Sequence, residues 1–291
     1  MSRGSRDDDR DDRSLQDEAK RTVESNRRRP ADDLFTRQLD LPRDEGRELI
    51  MARDRAYLLD QHEIRALATI GTFRVVPAAE VLEADADLRD ADLRHLIDEG
   101  LVTRETIADT AGSRYVLALT DTGKDLLDAN RDPDLKDAPQ AFYAGVVKPR
   151  EVQHDVHIYR AFREEEARID AEGGRVTRVV LDYELKRDYQ RFLNRDDRPD
   201  DATLEADRRA FAETHDLHVV KGHLELPDLR IEYETEDGRL EHRDVEIVTE
   251  HYSRGQISGK TKAGFTCYRA AGGSTRTGGT PFDPRHLRRL S

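Results

Sequence analysis

The sequence predicts an α+β chain with two folded units and charged flanks. Three observations carry that expectation. Apolar residues recur at helical spacing and in strand-like alternation within two blocks, residues 53–130 and 151–271. Between them, residues 131–150 hold Pro133, Pro139 and Pro149 and read as a linker with one apolar spot, Phe142-Tyr143. Of 291 residues, 38% are charged and 36% hydrophobic, which suits ordered units flanked by solvated segments better than one uniform core.

Composition narrows the function classes. No stretch approaches the roughly 18 apolar residues of a membrane span, so no membrane partner is expected. Met1 to Arg13 is charged with no apolar region behind it, unlike a secretory signal. Cys267 is the only cysteine, which excludes an intrachain disulfide and a cysteine-based zinc cluster. A cytoplasmic location is the expectation. Residues 1–50 read as a disordered arm, with a basic cluster at Arg27, Arg28 and Arg29. The formal net charge of −13 argues against indiscriminate coating of nucleic acid. From Ser253 to Ser291, however, eight basic residues face the single acid Asp283, a net of +7. Residues 272–291 therefore read as a basic tail, suited to phosphates or to solubility.

In the first block, Asp60 to Thr69 has helical spacing at Ile64, Leu67 and Ala68, and Gly71 is expected to end that helix. Phe73 to Val76 is a short extended stretch. Pro77 opens a helix over 78–82. A third helix spans Leu88 to Glu99, with Leu93, Leu96 and Ile97 on one face and Gly100 as its cap. Strands over 101–108 and 114–119 flank a turn at Gly112, and Thr120 or Asp121 caps a closing helix. This order is the layout of a winged helix-turn-helix over residues 53–130. In such a fold the third helix enters the major groove and the wing meets phosphates. The candidate DNA contacts are Arg89, Arg94 and His95 on the helix, Arg104 and Arg114 on the wing, and Arg254 and Lys260 further on. Against this, two arginines face six acids between Asp85 and Glu99, a net of −4.

The second block predicts a helix over 154–169 and a strand over 175–183. Helices follow over 186–193 and 204–214, then a strand over 226–233, a turn at Gly238, a returning strand over 244–249 and a helix over 260–270. Helix, strand, Pro-Asp, hairpin and acid, in that order, are the signature of the PD-(D/E)xK nucleases. Their chemistry needs two carboxylates on paired strands to hold a divalent ion, and a lysine to steady the attacking water. Asp228 and Glu246 fill the acid positions, and Glu165 on the first helix is the candidate third metal ligand. The lysine slot is Val248, so Lys262, or Lys260, must be supplied from the following helix. Mg²⁺ is the cofactor if the site is intact; otherwise none is expected. His154, Asp155 and His157 share a helix start, and are expected to serve the helix dipole and packing against the first unit rather than a metal. There is no nucleophilic serine elbow, phosphate-binding glycine loop or dinucleotide fingerprint.

The span from Arg53 to Ala271 resembles the replication-relaxation family, proteins of plasmids and other mobile elements implicated in plasmid replication and DNA relaxation. The matching pieces are the winged helix, His154-Asp155 opening a helix, Leu226-Pro227-Asp228-Leu229, Val245-Glu246-Ile247, and Lys262 to Tyr268, similar to the family's Lys…Tyr helix. Where the family places an acid and an arginine after the second-strand Glu, this chain has Val248-Thr249. The resemblance implies a DNA-linked role. The expectation is a non-catalytic DNA-binding accessory or regulator of replication, mobilisation or relaxation. Its partners would be double-stranded DNA, a second copy of the chain, and a relaxase or replication proteins. Two alternatives stay open, a metal-dependent endonuclease or nickase and a dimeric protein-interaction adaptor.

Overall fold

The computed structural model describes residues 34–41, 46–109, 112–134, 138–145, 151–199, 203–249, 252–270 and 287–289. The Arg27–Arg29 cluster, the hairpin tip at 110–111 and the tail before residue 287 lie outside them. The fold is mixed α+β.

The first unit opens with a hairpin that the sequence reading did not contain. Strands β1 (Glu48–Ala52) and β2 (Arg55–Leu59) pair antiparallel, with Leu49 opposite Leu58. Ile50, Ala52, Tyr57 and Leu59 turn inward, so the hairpin joins the core and brings with it Ile50, from the segment expected to be a loose arm. Helix α1 (Gln61–Phe73) starts at Asp60, whose carboxylate accepts from the His62 and Glu63 N–H groups at 3.0 Å, while the Glu63 carboxylate accepts from the Asp60 N–H at 3.1 Å. Such reciprocal capping typically contributes about 1 kcal/mol. Gly71 does not end this helix. It lies inside it, where a Cβ would sit 2.6 Å from Leu119 Cδ1, so glycine is there for close packing.

Next come β3 (Val76–Pro77), α2 (Ala78–Ala84), α3 (Asp90–Asp98), β4 (Val102–Asp109), β5 (Gly112–Leu119) and α4 (Asp121–Ala129). The Thr120 hydroxyl caps α4 by accepting from the Gly123 N–H at 3.0 Å. The three strands form an antiparallel sheet in the order β3-β5-β4.

The second unit runs α5 (Val152–Ala171), β6 (Arg175–Leu181), α6 (Asp182–Leu193), α7 (Leu204–Thr214), β7 (His218–Val220), β8 (His223–Glu225), β9 (Leu229–Glu234), β10 (Leu240–Val248), α8 (Arg254–Lys262), β11 (Thr266–Arg269) and β12 (Leu287–Arg289). Its sheet order is β12-β11-β10-β9-β6. β9 pairs antiparallel with both β6 and β10, and β11 and β12 continue in parallel on the far side of β10. Helix α5 lies across β6, β9 and β10. Residues 182–225 form an excursion between β6 and β9, with a small core of Phe211, Ala212 and Leu217. The single helix expected over 260–270 is replaced by a helix end, a turn and a strand. Gly264 takes a left-handed φ of 84° just past α8, and Thr266 to Arg269 then pair beside Val245 to Val248.

The two blocks share one core rather than being joined by a free linker. Phe73 of α1 packs against Tyr159 and Phe162 of α5, with ring centroids 5.1 and 4.7 Å away, and Phe35 sits 5.7 Å from Phe73 and 5.8 Å from Phe162. In the segment read as a linker, Phe142 is buried, and the Gln140 side chain accepts from the Val179 N–H at 2.9 Å and donates to its carbonyl at 2.8 Å. Among the described residues, no helix is long and apolar enough to cross a membrane. Truncating Phe73 to Ala is therefore expected to cost about 3–5 kcal/mol. Denaturant unfolding followed by circular dichroism and by hydrogen exchange in both units should still show one transition. Two separable transitions would contradict the shared core.

Candidate functional site

The site forms where β9 begins, β10 ends and α8 crosses above them. Along β10, Val245 and Ile247 enter the main core beneath α5. Glu246 and Val248 turn to the opposite face, where Val248 packs with Ile257 and Cys267. The lysine slot of the sequence motif is thus filled by an apolar side chain under α8. Ser253 and Gln256 fix the start of α8 by reciprocal capping, the N–H of Gln256 reaching the Ser253 hydroxyl at 3.3 Å and the N–H of Ser253 reaching Gln256 Oε1 at 2.8 Å. Ile257 faces the sheet, so Lys260, three residues on, shares its face.

Lys260 Nζ lies 3.2 Å from Glu246 Oε1, donates to the Leu226 carbonyl at 2.8 Å and stands 3.4 Å from Glu225 Oε2. The Tyr252 hydroxyl donates to the same Glu246 Oε1 at 2.7 Å. Glu246 Oε2 is buried and has no hydrogen-bond partner among the described residues. Burial, and then the neighbouring charge of Asp228, push the Glu246 carboxyl up to about 7.

Asp228 follows Pro227 at the entrance to β9. Its Oδ2 accepts from the Ile247 N–H at 2.8 Å, which draws it alongside Glu246. His154 Nε2, at the start of α5, lies 3.3 Å from the same oxygen. Burial alone would lower the His154 pKa, but hydrogen bonds to Asp155 and Asp228 outweigh it and raise the ring to about 10. Asp155 in turn meets the buried Arg74 guanidinium at 3.5 Å. Asp182, whose N–H donates to the Asp228 carbonyl at 3.1 Å, has a carboxyl raised by burial.

Asp228 and Glu246 therefore come together as the sequence predicts, and the lysine beside them is Lys260. Lys262 is exposed, off the face that Ile257 defines. Glu165 does not join them. It sits eleven residues along α5 from His154, about 16 Å at 1.5 Å per residue. Its carboxylate is held by the Tyr268 hydroxyl at 2.6 Å, Arg168 at 2.7 Å and Arg243 at 3.1 Å. Glu225 and Tyr252 were not anticipated. Their only sequence signals are adjacency to Leu226-Pro227 and to the Ser253 cap.

The residues expected to read DNA are mostly engaged by acids. Arg89 pairs with Asp92 at 3.0 Å, Arg94 with Asp90, and His95 Nδ1 with Glu63 Oε1 at 2.6 Å. Arg104 lies over the Tyr115 ring, 4.5 Å from its centroid. The side chain of Arg114 is outside the described residues, and Arg254 is exposed at the first turn of α8. Among the described residues, two groups in this unit have metal-like spacing, Asp60/Glu63/Asp92 and His62/Asp85/Asp87. The first is already occupied by Arg47, which lies 3.7, 2.9 and 3.4 Å from its three members. In the second, His62 Nδ1 lies 2.9 Å from Asp85 and the Asp87 N–H donates to Asp85 at 3.1 Å, with Arg65 at 3.3 Å.

No protein-family model, curated protein or solved structure matches this chain.

Because the folded state raises the Glu246 carboxyl from its ordinary 4.5 to about 7, this group supports folding while protonated. That contribution is present below pH 4.5 and is lost as pH rises through 7. E246Q keeps the shape and removes the charge. It should be more stable than the parent at pH 8, on the order of 1–3 kcal/mol, with the gain fading toward pH 5. Thermal unfolding across that range checks this, and a gain independent of pH would contradict it.

Proposed function

We propose that the chain acts on DNA through a divalent-metal phosphodiester site built on Asp228 and Glu246, with Lys260 as its lysine. The observation that carries the reading is the Glu246 carboxylate. One oxygen is held by Tyr252 and Lys260, and the other is buried with no hydrogen-bond partner among the described residues. A buried acceptor left open beside a second carboxylate is costly unless a cation completes it. The oxygen-only donors suit Mg²⁺ or Mn²⁺. The order α5, β6, then Pro227-Asp228 at β9, the hairpin to β10 and Glu246 follows the PD-(D/E)xK pattern, with residues 182–225 inserted. The helices and sheet of the first unit follow the winged-helix order, and the resemblance to the replication-relaxation family gives a mobile-element setting.

A divalent ion held there supplies Lewis acidity and a water of lowered pKa. The protein's own groups do the rest. Asp228 and Glu246 present the carboxylates, fixed by the Ile247 N–H and the Tyr252 hydroxyl. The cationic His154 ring and the Lys260 ammonium offset the carboxylate charge, so that a phosphodiester can approach. In the hydrolysis, water adds to phosphorus, the bond from phosphorus to the leaving sugar oxygen breaks, and that oxygen takes a proton.

A second reading keeps DNA as the partner without cleavage, as an accessory protein. The specific observation favouring it is that His154 already neutralises Asp228 while Val248 fills the lysine slot. Incubation of supercoiled plasmid with the full chain decides between them. Nicking that needs Mg²⁺ or Mn²⁺, falls to background in D228A and survives in E165A is expected. No metal-dependent nicking by the parent would overturn the catalytic reading, and a gel shift with the same DNA would then test the accessory one.

A further inference from the structure

The lysine of the site raises a question of its own. An ammonium has three N–H donors. Those of Lys260 face three oxygens, the Leu226 carbonyl at 2.8 Å, Glu246 Oε1 at 3.2 Å and Glu225 Oε2 at 3.4 Å. Lys260 and Glu225 are both mostly shielded, with side-chain exposures of 16% and 18%. Among the described residues, the polar atoms in contact with this monovalent cation thus belong to two carboxylates and a carbonyl. That is the donor chemistry of a hard divalent ion. The remaining oxygen of Glu246, a residue only 1% exposed, is buried and has no hydrogen-bond partner among the described residues.

Glu225 closes β8 and Asp228 precedes β9, so only Leu226 and Pro227 separate the two acids. The proline restricts that connection, which ties the Glu225 carboxylate and the Leu226 carbonyl to the position of Asp228. A third acid thus stands near the site at the end of the inserted excursion and not on α5; the oxygens of Glu225, Asp228 and Glu246 do not all lie within 4.8 Å of one another, so a bound ion would have to draw them together.

We infer that Glu225 is a cation-binding carboxylate of this site, and that the ammonium of Lys260 is the resident cation with which a divalent ion competes. The inference rests on reading Asp228 and Glu246 as a metal site. Its long, flexible stem lets Lys260 withdraw while α8 keeps it beside Glu246. Occupancy by metal is then set by a contest between two cations for one set of oxygens, so removing the lysine strengthens metal binding.

The test is Mn²⁺ binding to the full chain, followed by the electron paramagnetic resonance signal of the free ion, for the parent, E225Q and K260M. E225Q should weaken binding by about tenfold or more. K260M should bind more tightly than the parent, and added Mn²⁺ should raise its thermal midpoint more than the parent's. Equal affinity in E225Q and parent overturns the assignment of Glu225, and unchanged or weaker binding in K260M overturns the competition. Should K260M fail to fold, E225Q, which changes charge and not shape, carries the test alone. Plasmid nicking by the parent is scored separately. Nicking together with unaltered binding in E225Q overturns this inference and leaves the Asp228–Glu246 reading intact.

Discussion

Successive side chains of a strand leave it on opposite faces, and in β10 this alternation divides two environments. Val245 and Ile247 serve the main core, while Glu246 is delivered into a small apolar layer of Val248, Ile257 and Cys267 under α8. A carboxylate there is costly to ionise without partners. The rest of the site answers that constraint: Tyr252 and Lys260 converge on one oxygen, and Asp228 is drawn in by the N–H of the very next residue, Ile247. A one-residue slip of β10 would exchange the roles of Glu246 and Val245 and abolish the site, so the register against β9 matters as much as the residues.

Helix α5 extends the constraint across the molecule. Its middle packs Tyr159 and Phe162 against Phe73 and Phe35, its start carries His154 to Asp228, and its Arg160 pairs with Glu80 of α2 at 2.6 Å. Arg74, at a left-handed φ of 66°, sends a buried guanidinium over the Tyr183 ring at 4.2 Å and toward Asp155. A continuous line of ionic contacts therefore runs from the end of α1 through Asp155 and His154 to Asp228. Displacing the first unit would be felt at the carboxylates through a rigid helix, which is the physical form that coupling between the units can take.

Where local periodicity was strong, the sequence was legible. The helices around Leu93–Ile97 and His154–Ile169, the pairing that sets Asp228 near Glu246, and the Thr120 cap all follow from spacing and cap chemistry. What escaped was decided by tertiary context. The β1–β2 hairpin turns on Arg53-Asp54 with Arg53 at φ 53°, lacking the Asn-Gly or Asp-Gly signal that advertises such turns. Gly71 resembles a helix stop, yet it is a packing glycine whose reason lies in Leu119, far along the chain. Lys260 and Lys262 are equivalent in sequence, and only the direction of Ile257 beneath α8 separates them. Glu165 lies on the helix that the motif calls for, but about three turns of that helix separate it from His154, and Tyr268, Arg168 and Arg243 satisfy it there.

Charge distribution bears on how DNA would approach on the proposed reading. The acids around α3 hold Arg89 and Arg94 in local ion pairs, and Glu63 holds His95 in a hydrogen bond, so a phosphate backbone arriving at that face must compete with carboxylates already in place. The stretch from Ser253 to Ala270 is the opposite case. It carries Arg254, Lys260, Lys262 and Arg269 with no acidic residue among them, and it folds into α8, whose Lys260 reaches Glu246, and β11, which pairs alongside Glu246 in the sheet. In a chain of net charge −13, this makes the roof of the site a local positive feature on an acidic body. A polyanion would thus be oriented by repulsion from most of the surface as much as by attraction to this one. The same basic helix that brings the lysine to the carboxylates would then bring the phosphodiester.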